Sequence, residues 1–67
     1  MEIVQLATNA ARNGYVTRYA NNTVEVSRVT PTGREYAIRT RQFKTEIAAM
    51  LYFDYEKAMM KGSPSCR

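Results

Sequence analysis

The chain has 67 residues, 45 % of them hydrophobic, and carries ten Lys and Arg against six Asp and Glu, a formal charge of +4. That is one small folded domain, near the size below which a core needs help from a metal, disulfides or another chain. Histidine is absent and Cys66 is the single cysteine, so an internal disulfide is excluded and a zinc site would have one sulfur and no nitrogen.

Glu2 to Asn13 reads two ways. Ile3, Leu6, Ala7, Ala10 and Ala11 fit helical spacing, and Asn13-Gly14 fits a helix end. Thr8-Asn9 weakens that reading, because both side chains compete for backbone groups, and favours an extended segment over residues 2–6. Tyr15 to Ala20 and Thr23 to Thr30 are rich in β-branched and aromatic residues, and Asn21-Asn22 between them tolerates positive φ, so the pair predicts a hairpin. Along the second strand Val24 and Val26 share a face, with Glu25 and Ser27 opposite. Pro31-Thr32-Gly33 turns the chain into a third strand, Glu35 to Thr40. Strict alternation there puts Tyr36 and Ile38 on one side and Glu35, Ala37, Arg39 and Arg41 on the other.

A helix follows, with Thr45 as its N-cap and Glu46 in its first turn. At about 100° per residue, Ile47, Ala48, Leu51, Tyr52, Tyr55, Ala58 and Met59 form one apolar stripe, the expected core face. Phe53 falls on the other side, flanked by Ala49, Met50 and Met60. Met50, Phe53 and Met60 are therefore a candidate protein interface, for a homodimer or another partner, unless the N-terminal segment folds over them. Gly62 is a helix stop. The reading is a single α+β domain over residues 1–61, a three- to four-stranded antiparallel sheet packed on one C-terminal helix, with residues 62–67 as a flexible tail.

Nothing in this set of side chains points to catalysis. There is no histidine to act as a base, Asp54 and Glu56 diverge on a helix, and Gly14, Gly33 and Gly62 stand apart rather than in a phosphate loop. No cofactor is expected. Nor is there an apolar run of spanning length, or a basic and apolar leader after Met1, so the expectation is cytoplasmic with no membrane contact.

Charge is the informative pattern. Residues 12–44 carry Arg12, Arg18, Arg28, Arg34, Arg39, Arg41 and Lys44 against Glu25 and Glu35, whereas residues 45–61 sum to −1. A cationic sheet backed by a near-neutral helix fits an anionic partner. Arginines outnumber lysines seven to three, and their planar donors suit phosphate, guanine edges or carboxylates. Arg18, Arg28, Arg34, Arg39, Arg41 and Lys44 are the candidates for binding nucleic acid or an acidic protein surface.

Three strands followed by a helix that begins Phe43-Lys44-Thr45-Glu46-Ile47-Ala48-Ala49-Met50-Leu51-Tyr52-Phe53-Asp54 resemble the DNA-binding domain of plant ethylene-responsive factors. The arm-binding domains of tyrosine integrases are similar. The resemblance implies a sheet laid in the major groove, with Arg18, Arg28, Arg39 and Arg41 reaching DNA. Were residues 2–13 helical, the order would instead resemble a double-stranded-RNA-binding domain. By size and type the chain is also similar to small phage accessory proteins such as anti-CRISPRs, which inhibit a host complex by direct protein binding. The reading that results is a non-enzymatic module that binds nucleic acid, DNA before RNA, with such an inhibitor as the alternative.

Overall fold

A computed structural model describes residues 2–9 and 11–62. Strands β1 (Ile3–Thr8), β2 (Gly14–Tyr19), β3 (Thr23–Val29) and β4 (Glu35–Gln42) precede one helix, α1 (Glu46–Gly62). The strands form an antiparallel meander in the order β1-β2-β3-β4. The N-terminal segment is thus a strand, and the fold is α+β with four strands. The helix includes Gly62, and the rest of the expected tail lies outside the described residues.

All three hairpins close in one way. The N–H of Arg12 donates to Asn9 O, that of Asn22 to Tyr19 O and that of Gly33 to Thr30 O. Each of these donor residues then takes positive φ, at 60°, 67° and 92°. A β-turn followed by a left-handed residue is a favoured way to reverse twisted strands. Asn and Gly occupy that conformation at little cost, and Arg12 is held in it by the Asn9 side chain, whose Oδ1 accepts from Asn13 N–H and whose Nδ2 donates to Asn13 Oδ1. At the Asn21-Asn22 end of the sheet Thr45 caps α1, its Oγ1 accepting the Ala48 N–H at 3.2 Å.

Register sets the faces. Val16, Val26 and Arg39 lie side by side, as do Arg18, Val24 and Arg41, and these residues face α1. Between Val26 and Ser27 the β3–β4 pairing shifts by one residue, making Ile38 a β-bulge. The extra residue cancels the simple alternation expected for this strand. Arg39 and Arg41 are carried onto the helix side of the sheet, the side that Tyr36 shares through its pairing with Arg28. A second bulge, at Val4, interrupts the β1–β2 pairing between Ile3 and Gln5.

The core is small: Val16, Val24, Val26, Ala49 and Phe53, with Ala7, Phe43, Tyr52 and Met60 packed around it. Phe53 is 1 % exposed. It is not the surface residue expected from the helical wheel, and the face it shares with Ala49 is the one α1 buries. Two effects set that rotation. Ala49 lets the helix lie close on the valines, so Phe53 fills the space above them. The arginines on the inner side of the sheet also require carboxylates, and Glu46 and Glu56 lie on the same face of α1 as Ala49 and Phe53. Met60 belongs to this buried edge too, and only Met50 of the expected interface trio is exposed. Of the stripe expected to be core, Tyr52 and Ala48 are partly buried and Tyr52 packs on the core, whereas Ile47, Leu51, Tyr55 and Met59 are 71, 65, 57 and 53 % exposed.

Candidate functional site

All four strand arginines, Arg18, Arg28, Arg39 and Arg41, lie on the α1 side of the sheet by register. Its open side carries Tyr15, Thr17 and Tyr19 of β2, Glu25 and Ser27 of β3, and Glu35, Ala37 and Thr40 of β4. Among the described strand residues the only charges on that open side are glutamates, Glu25 and Glu35. The Tyr19 hydroxyl donates to Glu25 Oε1 at 2.9 Å, and this hydrogen bond, with burial second, raises the Tyr19 pKa above 10.0. The open sheet face therefore lacks the strand arginines that the ethylene-responsive-factor resemblance sets against DNA; Arg28, Arg39 and Arg41 are exposed on the other face, beside α1.

The six candidate cations separate into three groups. Arg18 is buried, donating through Nε to Gln5 Oε1 at 2.8 Å and lying 3.6 Å from Glu46. Arg39 makes a two-pronged contact with Glu56, Nε to Oε2 at 3.0 Å and Nη2 to Oε1 at 3.1 Å, and its side chain stays half exposed. Arg28, Arg34, Arg41 and Lys44 are exposed, and no carboxylate of the described residues pairs with them. The Arg41 guanidinium lies over the rings of Phe43 and Tyr52, 5.6 and 5.3 Å from their centroids, a cation–π arrangement that fixes its direction.

These residues border a cleft. α1 packs on β1, β2 and β3, so the neighbouring face of β4 is left uncovered and every residue of β4 is exposed. Between β4 and the helix lies an open cavity of about 440 Å³ lined by Arg39, Arg41, Tyr52, Tyr55, Glu56 and Met59. Its strand wall is cationic and its helix wall aromatic, with Tyr52 and Tyr55 stacked 6.1 Å apart. Burial pushes the Glu56 carboxyl up, but the Arg39 guanidinium, the Tyr52 hydroxyl and the nearby Arg41 charge outweigh it and leave the pKa below 4.5. Tyr52 is raised above 10.0, first by burial and then by its hydrogen bond to Glu56. Near neutral pH the cleft thus holds two arginines against one carboxylate.

Sequence alone does not reveal this site, because it arises from the bulge at Ile38 and the rotation of α1. One signal was available: the inner-face parity of Arg18 demands an acid on the covering helix, and Glu46 and Glu56 share a helix face with Ala49 and Phe53 at three- and four-residue spacing. Among the described residues no cluster of three or more His, Cys, Asp or Glu side chains could hold a metal, and no helix is long and apolar enough to cross a membrane. No family model, curated protein or solved structure matches the chain.

Proposed function

We propose that this protein is a non-enzymatic binding module that engages nucleic acid along β4. The carrying observation is the segregation of charge: Arg34, Arg39, Arg41 and Lys44 are exposed on β4 and at its ends, with exposed Arg28 beside it on β3 and, of the described exposed cations, only Arg12 apart from them in the β1–β2 turn, while the only charges among the described strand residues of the open sheet face are glutamates. Arg34 precedes β4, Arg39 and Arg41 lie on it, and Lys44 follows it, a span of about 30 Å for extended chain. The cleft beside Arg41 has room for a single base and not for a duplex, and Tyr52 offers it a ring to stack on. The reading therefore favours an unpaired strand, with phosphates along β4.

Binding to short labelled single-stranded and duplex DNA and RNA at about 50 and 200 mM salt tests it, since a backbone binder loses several decades of affinity over that range. The expected result is tighter binding to single strands. Replacing Arg34, Arg41 and Lys44 together by Ala should flatten the slope of log K against log salt by about two units, at roughly 0.7 per lost phosphate contact. Absence of binding at the lower salt, or an unchanged slope in the triple variant, overturns the reading. The second reading, inhibition of a host complex by direct binding, rests on the same cations, which suit carboxylates on a protein surface. It predicts no affinity for oligonucleotides.

A further inference from the structure

The outer face of α1 is apolar and uncovered, and its pattern is self-complementary. Ala48, Leu51, Tyr55 and Ala58 follow the three- and four-residue spacing of a helix–helix seam. They are placed symmetrically about Phe53: Ala48 and Ala58 are equidistant from it, and so are Leu51 and Tyr55. Ile47 and Met59, also equidistant, border the seam on opposite sides. We propose that α1 is the seam of a homodimer, in which a second copy packs antiparallel on the stripe Ala48, Leu51, Tyr55 and Ala58.

In that arrangement Leu51 of each helix meets Tyr55 of the other at the centre, and Ala48 meets Ala58 at both ends. Ile47 of one helix and Met59 of the other bracket each alanine layer. Large therefore faces large where the helices need filling, and small faces small where they approach most closely, at the 8–10 Å separation typical of packed helices. A partner that is not a copy would have no reason to match this symmetry, whereas an isologous contact requires it.

Two further observations select a second copy. The first is electrostatic. The chain carries +4, which opposes self-association, but residues 45–61 sum to −1 and the net positive charge comes from residues 12–44. The seam therefore meets no charge barrier, and it offers no charged handle to an acidic or basic partner. The second is the amount of apolar surface. Five apolar residues make the buried core, while ten large hydrophobic residues among those described are exposed. A domain of this size with so small a core needs additional burial. Ile47, Leu51, Tyr55 and Met59 from both copies would cover roughly 1,000 Å², about the threshold of a specific interface.

This inference rests on residues other than the cations of β4, and its test contains no nucleic acid, so either proposal can fail alone. Sedimentation equilibrium at about 100 µM, well above the dissociation constant of an ordinary dimer, should give twice the chain mass of 7.7 kDa. Leu51→Glu, which puts a charge against Tyr55 of the other copy, should raise the dissociation constant at least tenfold. A monomeric wild-type protein, or an unaltered dimer in Leu51→Glu, overturns the proposal. Because the variant could lose its fold along with the seam, a gain-of-bond experiment accompanies it. In a Cys66→Ser background, Ala48→Cys with Ala58→Cys should form covalent dimers under oxidised glutathione, and Ala48→Cys alone should not. Equal cross-linking by the single variant would show parallel helices, and none by the pair would show another interface; both refute the antiparallel seam.

Discussion

Glu56 holds the β4 side of the molecule together. Its carboxylate accepts from Arg39 twice and from Tyr52, so one acid positions the strand, the helix and the aromatic wall of the cleft. Its pKa is below 4.5 in the folded chain. A carboxyl whose folded pKa is depressed stabilises the fold above its unfolded pKa, and that contribution is lost as pH falls through the folded value. Thermal unfolding should therefore show a decline in stability between about pH 5 and pH 3 that Glu56→Gln lacks. At pH 7 the same variant should cost about 2 kcal/mol, the usual worth of hydrogen bonds to a charged group. Equal acid sensitivity in the two proteins would assign the pH dependence to other carboxylates.

On the scale of the elements, the strands and their turns were legible in the chain, and the faces of two elements were not. β-branched and aromatic runs separated by Asn21-Asn22 and Pro31-Thr32-Gly33 located β2, β3 and β4, and Thr45 located the start of α1. These are local signals, and the hairpin and capping geometries they specify are local as well. The face of β4 depended on a bulge, which leaves no mark in an alternating pattern. The face of α1 depended on what it covers. By hydrophobicity alone the stripe with Ile47 and Leu51 outranks the face with Ala49, Phe53 and Glu56. The polar demands of Arg18 and Arg39 and the close approach at Ala49 select the latter. Phe53→Ala should therefore not behave as a surface truncation. Loss of its ring from the valine layer should cost about 3–5 kcal/mol, enough to unfold much of the population of so small a domain, as circular dichroism would register. Leu51→Ala, by contrast, leaves the packing within one protomer intact.

Over the whole molecule, charge and apolar surface lie in separate places. The open sheet face holds the glutamates, the β4 flank the cations, and the outside of α1 the apolar seam. A two-fold axis relating antiparallel helices that pack face to face runs across both helices, parallel to the contact plane, and so leaves both β4 flanks on one side of the dimer. Two clefts on one side could be spanned by a single strand, and the second contact would then form at the high effective concentration of a tethered site.

The two bulges are at Val4 and Ile38, one on each edge strand, and the β2–β3 pairing between them has none. A flat edge with unpaired backbone groups invites further strands to add, which is how fibrils grow. Each bulge interrupts the ladder on the strand that would receive a newcomer and increases its local twist. Deleting Ile38 should leave β4 a regular edge to which further strands can add, and light scattering with a fibril-sensitive dye should then report ordered aggregates that the parent protein does not form. Five of the ten exposed large hydrophobic side chains among the described residues, Ile3, Val4, Leu6, Tyr36 and Ile38, lie on these two edge strands, where the irregular backbone deters an incoming strand.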